Sequence, residues 1–155
     1  MRGLKIALPA ILALVLVVVV VAPIGPMPGI FIGGTPTKAP EKWGDTSSVD
    51  EVMLRVPGVL PRVVIIWVVE HGGQLHVVGS RSSGWVKMIG SGSPVDMRID
   101  DSTYSLNASP VAEGRQQILE AYVAKYQAEY PDIVAGIPSI DEAADLFAVV
   151  RLDRS

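Results

Sequence analysis

The stretch that most restricts how this chain can fold is residues 62–70, Arg-Val-Val-Ile-Ile-Trp-Val-Val-Glu. Seven apolar residues run without a break. Pro61 stands before them, and Glu70-His71-Gly72-Gly73 reads as a hairpin turn at the end. A short apolar run of this kind is a strand buried on both faces. One barrel interior can take only one of those faces. The other requires a helix laid across it or a second subunit.

The flanking residues supply the rest of a β-rich domain. Val49, Val52, Leu54 and Val56 suggest a first strand, closed by the Pro57-Gly58 turn. Residues 74–80 return from the hairpin. Val95, Met97 and Ile99 alternate with Asp96, Arg98 and Asp100. Beyond a turn at Asp101-Ser102, Tyr104, Leu106 and Ala108 alternate with Thr103, Ser105 and Asn107, which makes a second hairpin with one wet face. At residues 113–130 the period changes: Ile118, Leu119, Tyr122, Val123 and Tyr126 recur at helical spacing, opposite Gln116, Gln117, Glu120 and Lys125. This helix should stop before Pro131. Asp141 and Glu142 suit the start of a further short helix, and residues 146–153 form a closing strand. The expected fold is mainly β (α+β), with six strands, one good flanking helix and no internal repeat.

Composition divides the chain into three parts. Of 155 residues, 49% are hydrophobic, and they are unevenly placed. Residues 6–22 carry no charge; as a helix they would measure roughly 25 Å, near the minimum for crossing a bilayer. Lys5 can snorkel to a headgroup, and Pro9 falls where a missing amide costs little. No clean small-x-small pattern precedes Pro23, so residues 1–22 read as an uncleaved single-pass transmembrane helix rather than a removed signal. Arg2 and Lys5 predict an N-terminus inside and a domain over residues 46–155 outside the cytoplasm, held at the cell membrane by lipid contact of that helix. Residues 23–45 are a Pro/Gly-rich connector unsuited to a regular helix or a central strand. In it, Ile30, Phe31, Ile32 and Trp43 need either the membrane interface or the domain to cover them. The formal charge is -3 and no basic stripe points to nucleic acid. Without cysteine there is no disulfide frame, thiolate metal site or cysteine nucleophile. His71 lies in a hairpin turn and His76 is isolated in a strand. No metal-spaced cluster, Ser/His/Asp set or paired carboxylates stand out, so no catalytic residue is assigned.

The stretch that carries chemistry is residues 77–87, Val-Val-Gly-Ser-Arg-Ser-Ser-Gly-Trp-Val-Lys. An apolar strand enters a turn of small hydroxyl residues around one arginine. Gly79 and Gly84 allow backbone geometries that other residues resist. Ser80, Ser82 and Ser83 offer hydroxyl donors, and Arg81 offers a planar fork suited to phosphate. A short helix over residues 84–89 would aim free amides at the same anion. The same residues also fit a plain polar turn with a solvated arginine, and residue chemistry leaves both readings open.

The order of these pieces resembles the flavin-binding split β-barrel superfamily. Arg62-Val63-Val64-Ile65-Ile66-Trp67, a hairpin and Ser80-Arg81-Ser82-Ser83-Gly84 are similar to the pyridoxamine phosphate oxidase branch. There an arginine-led apolar strand and a Ser-Arg-Lys-Gly turn hold the phosphate of FMN. Trp85-Val86-Lys87, the hairpin over residues 95–108 and a helix ending in Ala124-Lys125-Tyr126 resemble the related deazaflavin-dependent nitroreductase group. The similarity covers roughly residues 46–153. It implies a six-stranded split β-barrel that binds FMN or a deazaflavin, pairs as a homodimer with cofactor sites at the interface, and passes hydride to a small-molecule acceptor of quinone or nitro type. It further implies that Arg62, Ser80, Arg81, Ser82 and Ser83 hold the cofactor phosphate, that Lys87 adds charge, and that Trp85 walls the ring system. Trp67 departs from the pattern, standing where the oxidase branch has a phosphate-binding lysine. Ser82 stands where that branch has a basic residue. Each borrowed role has a plainer rival: a strand-edge charge for Arg62, a solvated helix residue for Lys87, a core anchor for Trp85. The cofactor does the redox chemistry in such proteins, so a missing catalytic acid does not exclude an enzyme. The competing class is a non-catalytic split-barrel module that binds a ligand or partner at the membrane.

Overall fold

A computed structural model describes residues 29–155. Its elements in chain order are β1 (Thr35–Pro36), β2 (Glu51–Val56), β3 (Arg62–His71), β4 (Gln74–Ser80), α1 (Gly84–Ile89), β5 (Ser93–Ile99), β6 (Ser102–Pro110), α2 (Arg115–Tyr126), α3 (Pro131–Ala135), α4 (Ile140–Leu146) and β7 (Phe147–Arg154). Strands β2 to β7 form an antiparallel barrel in the order β6-β5-β2-β3-β4-β7, closed by pairing of β6 with β7. The short β1 adds parallel to β6. The two hairpins and the closing strand lie where the alternation places them.

Register resolves the two-faced strand. Leu54 pairs with Val64, Val52 with Ile66, and Val77 with Val68. Side chains alternate along a strand, so Val64, Ile66 and Val68 face the barrel interior. There they meet a core that includes Leu75, Met97, Leu106 and Leu152. Val69 faces outward and packs with Val78 and Val149 against Ile118, Leu119, Ala143 and Ala144. Helices α2 and α4 therefore cover the outer face at this end of β3.

Helix α2 is not the sole helix beside the barrel: α4 begins where Asp141 and Glu142 suit a helix start, α1 forms over residues 84–89, and α3 is the one helix the sequence pattern does not foresee. The helix expected over residues 113–130 is shorter, Arg115–Tyr126, and Pro131 opens α3 at its first position, where proline lacks nothing the helix needs. Helices of five and seven residues show too few turns for a period to be read.

Two consecutive residues fasten α2 to the barrel. The Tyr126 ring stacks on Trp67 with centroids 4.2 Å apart. Its buried hydroxyl accepts from the Val68 amide at 3.0 Å, with the carbonyls of Asp50 and Val68 each at 2.7 Å as acceptors. The Lys125 ammonium donates to the carbonyls of Thr46, Val49 and Val68 at 3.1, 2.7 and 2.8 Å. Helical spacing puts Lys125 on the wet side, but its long stem bends back so that the charge caps two carbonyls ahead of β2 and one within β3.

In the connector, Gly29 exchanges backbone hydrogen bonds with Val63, Ile32 is buried, and Trp43 meets Tyr104 edge-on at 5.3 Å. Ile30 and Phe31 remain exposed. The expected transmembrane segment lies outside the described residues. Among the described residues no helix is long and apolar enough to cross a bilayer.

Candidate functional site

The turn between β4 and α1 is knitted by its own hydroxyls. Ser80 Oγ and Ser82 Oγ lie 2.8 Å apart, the Ser82 amide donates to Ser80 Oγ at 3.2 Å, and Ser83 Oγ donates to the Ser80 carbonyl at 2.7 Å. The Arg62 guanidinium lies so close to Gly84 that a Cβ there would collide with it. Glycine at 84 thus admits the start of β3 to the turn. Arg62, Ser80, Ser82 and Ser83 come together at one end of the barrel.

The other three candidates face elsewhere. Arg81 Nε and Nη2 donate to the carbonyls of Asp145 and Ala144 at 2.9 and 3.2 Å, and its amide donates to the Leu146 carbonyl at 3.1 Å. These carbonyls end α4, where intrahelical donors run out and a cation is favoured. Arg81 is a clamp between the turn and α4, with two of its side-chain donors in use. Trp85 is 7% exposed, part of the barrel core, and lies against Gly79 so tightly that a Cβ at 79 would collide with the indole. It plugs the barrel end. Lys87 is exposed on α1.

Beside the turn, on the outer face, an apolar cleft of about 410 Å³ opens between barrel and helices. Trp67, Val78 and Phe147 come from β3, β4 and β7; Leu119, Tyr122 and Val123 from α2; and Ile133, Ile137 and Ile140 from the α3–α4 region. Ser80 pairs with Phe147 across β4 and β7, so the hydroxyl turn begins at the cleft's edge. Trp67 also sits 5.9 Å from Tyr122 and 4.9 Å from Tyr130. An aromatic cluster thus occupies the place where the resemblance puts a phosphate-binding lysine. Burial pushes the Tyr122 phenol well above its usual range, which keeps it neutral and able to donate.

Leu119, Tyr122 and Val123 belong to the apolar stripe expected of the helix, whereas Ile133, Ile137 and Phe147 stand in no pattern that marks a site. One signal was available: Tyr122, Tyr126 and Tyr130 recur every four residues, opposite a lone tryptophan in an aliphatic strand.

The donor set fits a flavin-type group in part. The cleft suits a planar ring, and Arg62 with the hydroxyl turn suits a phosphate arm. The cleft lining carries no histidine, cysteine or methionine, and Tyr122 is its one side chain of a type that can ligate heme iron.

No protein-family model and no curated protein matches the sequence. Solved structures match in shape. A FAD- and heme-binding protein from Mycobacterium smegmatis superposes at TM-score 0.52 and 14% identity, over 70% of this chain and 62% of that one. The shared fold is a split β-barrel. A NimC/NimA family protein from Clostridium acetobutylicum reaches TM-score 0.48 at 18% identity over 66% of this chain and 73% of that one. HutZ, the heme storage protein of Vibrio cholerae, reaches 0.49 at 16% over 72% and 86%. The chain spans under two thirds of the mycobacterial protein. A shared fold at such identity leaves function to the site.

Proposed function

We propose that this split barrel is an oxidoreductase that carries a flavin-type ring in the outer cleft and the ring's phosphate arm on the turn of Ser80, Ser82 and Ser83 beside Arg62. The observation that carries the reading is adjacency: the hydroxyl turn begins at Ser80, whose strand partner Phe147 lines the aromatic-walled slot, and Arg62 reaches the far side of the same turn at Gly84. FMN and a deazaflavin both divide into such a ring and such an arm. The flavin bound by the mycobacterial protein supports the choice of cofactor class.

Such a ring, once bound, supplies hydride transfer from its own chemistry. The chain's residues do the rest. Trp67, Tyr122 and Phe147 stack and exclude water, and the neutral Tyr122 phenol donates a hydrogen bond. Arg62 holds the anion, while Arg81 keeps the turn in place by clamping α4. An apolar cleft mouth suits a quinone- or nitro-type acceptor. In this reading residues 1–22 anchor the chain in the cell membrane with the barrel outside the cytoplasm, and barrels pair as homodimers.

A second reading has its own observation. Two Arg81 donors are committed and Trp67 replaces a lysine, which favours a non-catalytic module that binds an apolar ligand at the membrane. Titration of the full chain in detergent decides. FMN or a deazaflavin binding, weakened in Phe147→Ala, supports the oxidoreductase. Saturable quenching of tryptophan by a quinone, with no binding of either flavin, supports the module. If neither binds, both readings fall.

A further inference from the structure

Six large hydrophobic side chains are exposed among the described residues, and three of them, Ile30, Val59 and Leu60, lie within a few residues of the bridge between Gly29 and Val63. The antiparallel bridge between Gly29 and Val63 sets their proximity: the amides and carbonyls of the two residues bond reciprocally at 2.9 and 2.7 Å. Ile30 follows Gly29 beside the start of β3, with Leu60 and Val59 in the β2–β3 loop, whereas beyond Phe31 the chain turns away and the Ile32 and Gly33 carbonyls accept from Arg98 and Thr103. Val59 is fully exposed, Leu60 77% and Ile30 40%. Single exposed apolar residues are ordinary, but three close together mark a contact surface.

We infer that this tip rests in the headgroup region of a lipid bilayer. The inference rests on the reading that residues 1–22 anchor the chain. Six residues separate Ala22 from Gly29, so the hydrogen-bonded start of the barrel lies within about 25 Å of the end of the apolar segment. The tip next to Gly29 is thereby held at membrane distance. Residues 57–62 and 84–90 carry no acidic group, Asp96 beside the loop is paired with Arg55, Lys87 is exposed on α1, and the Met88 side chain of the same helix packs under Gly58 of the loop. A positive charge beside an apolar tip matches anionic headgroups above acyl chains.

The chain has no cysteine, so Leu60→Cys places a single environment-sensitive fluorophore at the tip. Val59→Cys gives an independent second site. His71→Cys labels the opposite end of β3, about 30 Å away. The full-length protein is reconstituted into phosphatidylcholine–phosphatidylglycerol vesicles. The expected result is blue-shifted emission at positions 59 and 60, quenched by nitroxide lipids and protected from aqueous iodide, with the reverse at 71. Protein that floats with vesicles while position 60 stays as wet as 71 overturns the inference and leaves the anchor intact. Protein that does not float at all removes the anchor and the inference together. Shielding of position 60 in detergent without vesicles, rising with protein concentration, also overturns it by assigning the tip to a second copy.

Discussion

His76 should make folding stability fall with acid in a way that one substitution removes. It lies on the outer face of β4, 4% exposed, between Val69 of β3 and Arg151 of β7. Its Nδ1 is buried without a hydrogen-bond partner. Burial first, then the positive charge of His71 and Arg151, hold its pKa at about 4, against 6.5 in a free chain; Gln74 and Asp153 pull the other way without reversing this. The folded state therefore refuses a proton that the unfolded chain accepts. Above pH 6.5 both states are neutral and nothing is lost. Between pH 6.5 and about 4 the unfolded state gains protons and stability falls, levelling off below. At about 1.4 kcal/mol per pH unit, that gap amounts to about 3 kcal/mol. The assay is urea denaturation of the full chain in detergent, followed by tryptophan fluorescence at pH values from 7.5 down to 4. Carboxylates add an acid slope of their own, but it is common to every variant. His76→Leu and His76→Gln, neither of which titrates, should be less acid-sensitive than the parent by about that amount over the window. Parallel pH curves for parent and both variants would refute the reasoning.

Gly79→Ala should cost about 1–3 kcal/mol, because the new methyl must displace the Trp85 ring from the barrel core; thermal melts compared with an alanine at Gly44, which has open space around it, test this. Arg81→Ala should lower stability measurably, by about 1–2 kcal/mol for its two donors on α4, whereas a solvated arginine in a polar turn would leave the denaturation midpoint unchanged. Lys125→Met keeps the stem but strands three carbonyls, and hydrogen exchange at the β2 and β3 amides near Val49 and Val68 should accelerate with a loss of about 2–4 kcal/mol. A cytoplasm-only reporter fused after Ser155 should stay inactive if the barrel lies outside the cytoplasm; strong activity reverses the orientation.

The strands and hairpins were legible because their signals are local. A period of two over residues 95–108, a glycine pair at 72–73 and an unbroken run at 63–69 each settle a backbone path within a few residues. The same run showed that something must cover the outside of β3. It could not show what, because Val69 meets Leu119 and Ala143, fifty or more residues later, on helices too short or too mixed to announce a partner. The site divides in the same way. Gly84 and the serines announce a tight polar turn, and the turn is there. Whether Arg81 points to solvent, to an anion or to α4 is decided by Ala144 and Asp145, more than sixty residues along the chain. Lys125 and Trp85 follow the same rule: helical periodicity and residue type assign each to a face, and the carbonyls or the missing Cβ that receive it come from other elements. Backbone geometry is set by near neighbours. The partner of a long side chain is set by whichever distant element first satisfies its donors or fills its shape, and only the closed barrel brings that element within reach.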